Sequence, residues 1–358
     1  MKKFLYAEIL ILAVLLIAAI AVLINLDTRK PAAPAMQTEP PVIQTTDATT
    51  EPAGSFPVET TTQETPVETT TEPGPTWMTF PSDRELLASQ YFVYDVESDS
   101  FLTDSGNGAT VYPASITKLF TCYVAMQYLE PETVLTVGDE MDLVAWGSSV
   151  AGLAKGDQLT VAQLTEAMLL PSGNDAAYVL AVNAGRVICG DPNAGVYYAV
   201  EAFMSKMNEN AKNAGMAFTH FANPDGIHAD DHYMSFTDLA LLGKMSLENP
   251  TILEMAQVAH DQVEFVHTAQ RVGTEEDPDK PGLGEWKNTN ALIDPESEYY
   301  CPYAIGLKTG QTPYAGSCLL SAFDYKGQKL IIGVFGCPET EDRFPDTLQL
   351  FNQAIGIQ

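Results

Sequence analysis

Two side chains three residues apart carry the strongest chemical signal in this chain. Ser115 and Lys118 follow Pro113, at the start of an apolar stretch that predicts a helix over residues 114–129. Positions i and i+3 share one helix face, so the lysine lies beside the serine hydroxyl. A serine hydroxyl is a weak nucleophile until a base takes its proton, and a buried lysine with a lowered pKa can be that base. The pair therefore predicts a nucleophile and its activator.

A second motif follows a predicted helix and lies on a loop. It reads Ser172-Gly173-Asn174. The Ser172 hydroxyl can relay a proton to a leaving amine, and the Asn174 amide offers a donor and an acceptor to a substrate amide. A similar triplet begins at Ser105, but it precedes the nucleophile and lies in a glycine-rich turn. We interpret that triplet as an ordinary loop.

The third motif, Lys308-Thr309-Gly310, ends an apolar run that predicts a strand. The lysine offers charge and Thr309 a hydroxyl to a substrate carboxylate, while the glycine lets a backbone approach closely. The N–H groups of Gln311 and Ser115 are predicted to form an oxyanion hole. In this order the three motifs supply a nucleophile, a base, an amide holder and a cationic clamp, which is the equipment of acyl transfer.

The elements that must position these motifs are strands at both ends of the folded region with helices between them. A hairpin is predicted near residues 91–103, and three strands near 304–307, 317–323 and 329–335. The sequence therefore predicts an α+β fold, a mostly antiparallel sheet flanked by helices. The predicted helices span residues 114–129, 160–170, 175–187, 200–215, 238–247 and 342–355.

Composition divides the 358 residues into three regions. Residues 80–358 are long enough for one large domain or a domain with a subdomain. Residues 31–79 are built from Thr, Pro, Glu and Ala, cannot bury enough apolar surface to fold, and predict a disordered stalk. The formal net charge of −29 argues against a nucleic-acid partner, and it means that an anionic substrate must be captured by local cations.

Residues 1–30 carry Lys2 and Lys3 ahead of an apolar run that is long enough to cross a bilayer. The lysines favour a cytoplasmic amino terminus, and thus a single-pass cell-membrane anchor. A cleaved signal peptide is the alternative, because Ala19-Ile20-Ala21 resembles a cleavage site. The apolar run continues past it, which favours the anchor. Either interpretation places the folded region outside the cytoplasm.

The five cysteines match no zinc or CxxC pattern, so no metal site is predicted from them. Cys122 lies one helical turn beyond Lys118 and would compete poorly as a nucleophile, because it lies deeper under the same face. We interpret Cys122 as a small core residue.

The motifs together resemble those of the serine-type D-alanyl-D-alanine carboxypeptidases, the low-molecular-mass penicillin-binding proteins. Residues 112–119 (Tyr-Pro-Ala-Ser-Ile-Thr-Lys-Leu) are similar to the nucleophile motif of that family, residues 171–177 to its second motif and residues 306–316 to its third. Supporting stretches also match: residues 147–149, 155–157, 223–226 and 288–290. One departure is Asp225, at a position where relatives often have histidine.

The resemblance implies the fold of the penicillin-recognising serine hydrolases, with an antiparallel sheet, flanking helices and a helical subdomain. It implies no metal or other cofactor. The implied activity is removal of the terminal D-Ala from peptidoglycan stem peptides ending in D-Ala-D-Ala, with β-lactams as inhibitors that acylate Ser115. Arg343 lies where the family has an arginine near the substrate carboxylate.

Two alternative functions stay open at this point. A class A β-lactamase shares the fold and two motifs, but it would have Ser-Asp-Asn where this chain has Ser172-Gly173-Asn174, and a Glu-x-x-Leu-Asn loop that is not found. A non-catalytic cell-wall binding module is the other alternative, and three intact motifs argue against it.

Overall fold

Strands from the two ends of the folded region build the central sheet. The computed structural model of the protein describes residues 77–81, 83–106, 110–266 and 282–357. Within these ranges there are nine strands: β1 (Gln90–Asp95), β2 (Ser100–Asp104), β3 (Val134–Thr136), β4 (Gln158–Thr160), β5 (His260–Phe265), β6 (Gly282–Lys287), β7 (Ala304–Thr312), β8 (Gly316–Tyr325) and β9 (Gln328–Cys337). The central sheet has the order β2-β1-β9-β8-β7 and is antiparallel throughout. β3–β4 and β5–β6 form two separate antiparallel pairs.

Helices fill the sequence between the first hairpin and the last three strands, and one more helix closes the domain. The same described ranges contain seven α-helices: α1 (Thr117–Ala125), α2 (Val161–Leu169), α3 (Asn174–Cys189), α4 (Val196–Ala214), α5 (Phe236–Glu248), α6 (Pro250–Ala256) and α7 (Arg343–Ala354). Three short 3₁₀ turns cover Ala114–Ile116, Asp139–Leu143 and Ala291–Ile293. The first of these turns leads directly into α1.

Four strands of the central sheet, β1, β7, β8 and β9, are mostly buried, because their side chains alternate between two covered faces, whereas the edge strand β2 is mostly exposed. In β9, Ile331 packs into the larger core with α1, α2 and α3, whereas Leu330 and Ile332 pack into a second core beneath α7. Nearly every residue of α1 is buried, so the helix after Ser115 is held rigidly inside the domain. The α+β prediction is confirmed.

Several boundaries differ from the prediction for local reasons. The predicted helix 114–129 begins as a 3₁₀ turn, and α1 ends at Ala125. β7 continues through the third motif to Thr312, after a register shift between Ala304 and Gly306. α6, β3–β4 and β5–β6 were not predicted, since short strands and a seven-residue helix give weak periodicity.

Folded packing extends to Trp77, three residues before the predicted boundary at residue 80. The Trp77 indole Nε1 donates to Asn352 Oδ1 at 2.9 Å, and its ring contacts Tyr303 and Phe351. Residues 1–30 and most of the predicted stalk lie outside the described residues. Of the helices that the structure describes, none combines the length and the apolar character needed to cross a bilayer.

Candidate active site

The predicted nucleophile, Ser115, lies on a tight turn that two glycines approach closely. Ser115 occupies the 3₁₀ turn Ala114–Ile116, and Ala114 has a positive φ of 48°. A Cβ added at Gly226 would lie 2.0 Å from the Ala114 carbonyl oxygen, and one at Gly310 would lie 2.7 Å from the Pro113 carbonyl oxygen. Both neighbouring segments therefore approach the turn so closely that only glycine fits.

Lys118 lies beneath this turn and contacts the nucleophile directly. Its side chain is fully buried, and Nζ donates to Ser115 Oγ at 2.9 Å, to Asn174 Oδ1 at 2.7 Å and to the Asp225 carbonyl oxygen at 2.7 Å. Burial lowers the pKa of Lys118 to about 8, although the charges of Asp225 and Asp175 oppose that shift. An amine with this pKa and this contact can take the serine proton near neutral pH.

The second motif forms one wall of the site. Ser172 is buried with a positive φ of 65°, and Asn174 begins α3. The next residue, Asp175, accepts hydrogen bonds of 2.8–3.0 Å from the backbone N–H groups of residues 151–153. This carboxylate fixes the loop 147–153 against the motif.

The third motif forms the opposite wall, on β7. Lys308 Nζ makes only long contacts, 3.4 Å to Thr289 Oγ1 and 3.3 Å to the Thr309 carbonyl oxygen. The hydroxyl oxygens of Thr289 and Thr309 lie 2.6 Å apart. Burial, together with the charges of Lys118 and Arg343, lowers the pKa of Lys308 well below its ordinary value. An anionic ligand bound beside Lys308 would favour the protonated, positively charged form of its amine.

Arg343 and Gln311 complete the set of predicted site residues. Arg343 begins α7 and is 5 % exposed; its Nη1 donates to the Gly310 carbonyl oxygen at 3.4 Å, and its buried Nε has no hydrogen-bond partner among the described residues. The Gln311 side chain instead bonds to Thr340 Oγ1 at 3.0 Å. Its predicted role concerns the main-chain N–H and stays a prediction.

These residues surround one cleft of about 630 Å³. Ser115, Ser172, Asn174, Thr309, Gly310, Gln311 and Arg343 line this cleft. The fully buried amines of Lys118 and Lys308 lie beneath the lining residues. The structure thus brings all nine predicted site residues into one place, with three basic side chains, Lys118, Lys308 and Arg343, inside a protein whose net charge is −29.

Sequence reasoning assigned no role to four groups that build this site. The Asp225 carbonyl accepts from Lys118, Thr289 contacts Lys308, Asp175 holds a loop and Gly226 packs on the nucleophile turn. All four lie in stretches that resemble the family, but a main-chain acceptor leaves no signal in a side-chain pattern. Only the turn sequence around Gly226 could have indicated a close approach.

Cys122 is a core residue, as predicted. Burial raises the pKa of its thiol to about 12, so the thiol stays protonated and is a poor nucleophile. All five cysteines are free.

Among the described residues, one group of potential metal ligands lies away from the cleft, at the start of β5. His260, Asp294 and Glu296 bring ligand atoms within 4.8 Å of one another. Asp294 already pairs with Lys287 Nζ at 2.9 Å. Lys287 therefore supplies the positive charge that this cluster needs, and we interpret the cluster as a structural ion pair.

The fold and the cleft together define a class of enzyme. A serine hydroxyl within 2.9 Å of a buried amine, on an α+β fold with a lysine and an arginine on the opposite wall, is typical of a serine hydrolase that forms an acyl-enzyme.

The family follows from comparison with known proteins. A family profile described as D-alanyl-D-alanine carboxypeptidase (Peptidase_S11) matches residues 77–339. The chain belongs to this family and is a serine peptidase.

Characterised relatives support this assignment. A D-alanyl-D-alanine carboxypeptidase of Streptomyces sp. strain K15 is 30% identical over 270 residues, covering 72% of this chain and 86% of the relative. DacF of Bacillus subtilis is 28% identical over 264 residues, and DacC of Escherichia coli 29% over 276 residues. Those matches cover 72% and 74% of this chain, which spans 60% of the length of either relative.

Solved structures share the fold. The crystal structure of the Streptomyces K15 DD-transpeptidase superposes with a TM-score of 0.66 at 27% identity, covering 76% of this chain and 99% of that one. DacD from Francisella tularensis, a D-alanyl-D-alanine carboxypeptidase, gives a TM-score of 0.62 at 25% identity, covering 77% and 72%.

Proposed function

We propose that this protein is a D-Ala-D-Ala carboxypeptidase that removes the terminal D-Ala from peptidoglycan stem peptides. The observation that carries the proposal is the 2.9 Å contact between Lys118 Nζ and Ser115 Oγ at the base of the cleft. Family membership supplies the substrate class, and the wall that carries Lys308 and Arg343 agrees with a substrate that ends in a free carboxylate.

The reaction begins when Ser115 Oγ attacks the carbonyl carbon of the penultimate D-Ala and Lys118 takes the hydroxyl proton. The N–H groups of Ser115 and Gln311 hold the oxyanion of the tetrahedral intermediate. Ser172 then relays the proton that Lys118 took to the leaving nitrogen, the C–N bond breaks, and the terminal D-Ala departs. Water hydrolyses the remaining ester and returns the serine hydroxyl.

Substrate recognition is divided between the two walls. Asn174 Oδ1 already accepts from Lys118, so the amide nitrogen is the group that it offers to the peptide. On the opposite wall, Thr309 donates to the terminal carboxylate, and Lys308 and Arg343 supply charge. Gly310 lets the peptide backbone approach the strand.

β-Lactams satisfy the same requirements, because they present a strained amide and a carboxylate. We propose that penicillin acylates Ser115 and that the ester is hydrolysed slowly. Fast turnover of that ester would instead indicate a β-lactamase.

We also propose that residues 1–30 anchor the protein in the cell membrane, that residues 31–76 form a stalk, and that the catalytic domain faces the cell wall. The uncleaved chain should then pellet with membranes and keep its amino terminus. Recovery of a soluble mature chain that begins near Val22 would contradict the anchor.

Mass spectrometry of a D-Ala-D-Ala muropeptide incubated with the catalytic domain tests the activity. We expect loss of one D-Ala with the wild type and no loss with Ser115→Ala. Ser105→Ala, which removes a serine of the similar triplet outside the cleft, is the matched control and should keep wild-type activity. A Ser115→Ala protein that releases D-Ala at the wild-type rate would refute the proposal. Adding a D-amino acid acceptor separates hydrolysis from transpeptidation.

A further inference from the structure

Three aromatic rings form a lip on the cleft that no step of the proposed reaction uses. The imidazole of His228 stacks on the ring of Tyr314, with 3.9 Å between the ring centroids and 13° between the ring planes. The ring of Tyr112 meets the same imidazole edge to face, with 4.7 Å between the centroids. His228 and Tyr314 both line the cleft that contains Ser115. We call Tyr112, His228 and Tyr314 the aromatic lip.

The aromatic lip joins three separate segments of the chain. Tyr112 is half-buried and lies three residues before the nucleophile. Tyr314 lies in the tight turn between β7 and β8, where Thr312 Oγ1 accepts from the Ala315 N–H at 3.0 Å. Within the described residues, His228 Nδ1 is buried without a hydrogen-bond partner, so the two aromatic neighbours do most to position this ring.

One face of the lip is open to a ligand. Tyr314 is 71 % exposed although His228 covers one face of its ring, so the opposite face is accessible. A carboxylate lies beside the stack, because the fully exposed Asp230 has its Oδ1 3.4 Å from His228 Nε2. An aromatic face next to a carboxylate suits an aliphatic chain that ends in an ammonium group, since the ring packs on methylene groups and attracts a cation.

The position of the lip along β7 indicates which part of the substrate reaches it. β7 lies at the edge of the central sheet, so an extended peptide can lie against it. In the proposed function the terminal carboxylate lies at Thr309 and the oxyanion at the Gln311 N–H. The residue that precedes the two D-alanines therefore lies further along the strand, at Thr312 and the turn that carries Tyr314.

The charges of the cleft fit the same orientation of the peptide. The two basic side chains of the carboxylate wall, Lys308 and Arg343, lie at the end assigned to the terminal carboxylate, where Arg343 Nη1 donates to the Gly310 carbonyl oxygen at 3.4 Å. Asp230 lies beside the lip, toward the other end. A peptide with a carboxylate at its end and an ammonium group further back is complementary to this arrangement.

We propose that the aromatic lip is a subsite that selects the side chain of the residue before the two D-alanines, and that it favours a long aliphatic chain ending in an ammonium group. The proposal rests on the proposed carboxypeptidase function. The aliphatic chain packs on the open face of Tyr314, His228 holds that ring in place, and the ammonium group approaches the ring and Asp230. The lip thus selects among substrates and takes no part in bond breaking.

The test is the release of D-Ala by the full-length protein from three Nα-acetylated tripeptides, X-D-Ala-D-Ala, in which X is alanine, norleucine or lysine. Norleucine adds the aliphatic chain and lysine then adds the ammonium group, so two ratios of kcat/KM separate the two contributions. In the wild type we expect norleucine to exceed alanine about tenfold, because the added carbons pack on the ring, and lysine to exceed norleucine about threefold.

Three variants and a control assign these ratios to the lip. Tyr314→Ala should bring the norleucine-to-alanine ratio close to one, whereas Tyr314→Phe should keep it, because the ring remains. Asp230→Asn should lower only the lysine-to-norleucine ratio. Tyr197→Ala removes a tyrosine of similar exposure on α4, outside the set of residues that line the cleft, and should leave both ratios unchanged.

The remaining outcomes would contradict the subsite. A wild-type protein that cleaves the three peptides equally well, or a Tyr314→Ala variant that keeps both ratios, would overturn the proposal. An equal loss on all three peptides in Tyr314→Ala would also overturn it, because the ring would then support the shape of the cleft and select nothing. Release of D-Ala from none of the peptides by the wild type would instead refute the proposed function.

Discussion

The two buried lysines of the cleft are equally enclosed but differently satisfied. Lys118 Nζ has three acceptors at 2.7–2.9 Å, one of which is the nucleophile. Lys308 Nζ has two contacts, and both are 3.3 Å or longer. Arg343, on the same side, has a buried Nε without a partner in the described part of the chain. The hydrogen bonds of one wall are already made, whereas the other wall has polar groups that the proposed carboxylate ligand would complete.

This difference explains how one site performs two tasks. The proton-transfer wall must be organised in advance, because reorganisation during the reaction raises the barrier. In the proposed function, the carboxylate wall would gain its specificity from the unsatisfied basic groups of Lys308 and Arg343, since a ligand without a carboxylate would leave them buried and unpaired.

Of the changes that test this difference between the two lysines, removing the amine of Lys118 should lower activity the most. In Lys118→Met we expect penicillin acylation and D-Ala release to fall by about a thousandfold or more, because general-base catalysis contributes about 10²–10⁴-fold and Ser115 loses its partner. Stopped-flow acylation measures this effect. Lys155→Met, at an exposed lysine paired with Asp139 and Asp142, is the control and should act like the wild type. Similar losses in both variants would mean that Lys118 is not specifically the base.

Removing the cation of Arg343 should have a smaller effect that depends on the substrate. A charge-assisted hydrogen bond contributes roughly 1.5–3 kcal/mol, so Arg343→Ala should lower kcat/KM about ten- to hundredfold on peptides with a free carboxylate. A C-terminally amidated or thioester substrate without that carboxylate should lose little. Equal losses on both substrates would show that Arg343 acts through folding, and the clamp role would have to be dropped.

The smallest expected effect is a fractional proton uptake at Lys308. Its pKa is lowered in the empty site, and a bound carboxylate should raise it again, so binding near neutral pH should take up part of a proton. Calorimetry of Ser115→Ala with a D-Ala-D-Ala peptide, in buffers of different ionisation enthalpy, measures that uptake. The uptake should disappear in Ser115→Ala/Lys308→Met. Uptake that persists in that double variant would assign the proton to another group.

The three motifs could be predicted from the sequence because their chemistry depends on the types of their side chains. Residue identity and order predicted the roles of Ser115, Asn174 and Lys308. The antiparallel sheet was predicted from strands at both ends of the folded region. The central features of the geometry were not predictable in this way. The Asp225 carbonyl that holds Lys118 belongs to the main chain, and the positive φ of 84° at Leu307 within β7 is a tertiary constraint that no propensity indicates.

The amino-terminal predictions depend on hydrophobicity and composition alone. The apolar run within residues 1–30 indicates a segment that can insert into a bilayer. The Thr/Pro/Glu-rich segment that follows has too little apolar surface to form a core. Neither pattern states whether a processing enzyme cleaves the run, because the Ala19-Ile20-Ala21 site depends on recognition by another protein.

The position of the covalent bond that penicillin forms tests the central claim most directly. The account predicts one adduct, with the full mass of the penicillin, on the peptide that contains Ser115, and its absence in Ser115→Ala. Peptide mapping by mass spectrometry after brief exposure measures it. An adduct on Ser172 or Cys122, or a folded wild-type protein that forms none, would contradict the assignment of the Ser115–Lys118 pair as the reacting centre.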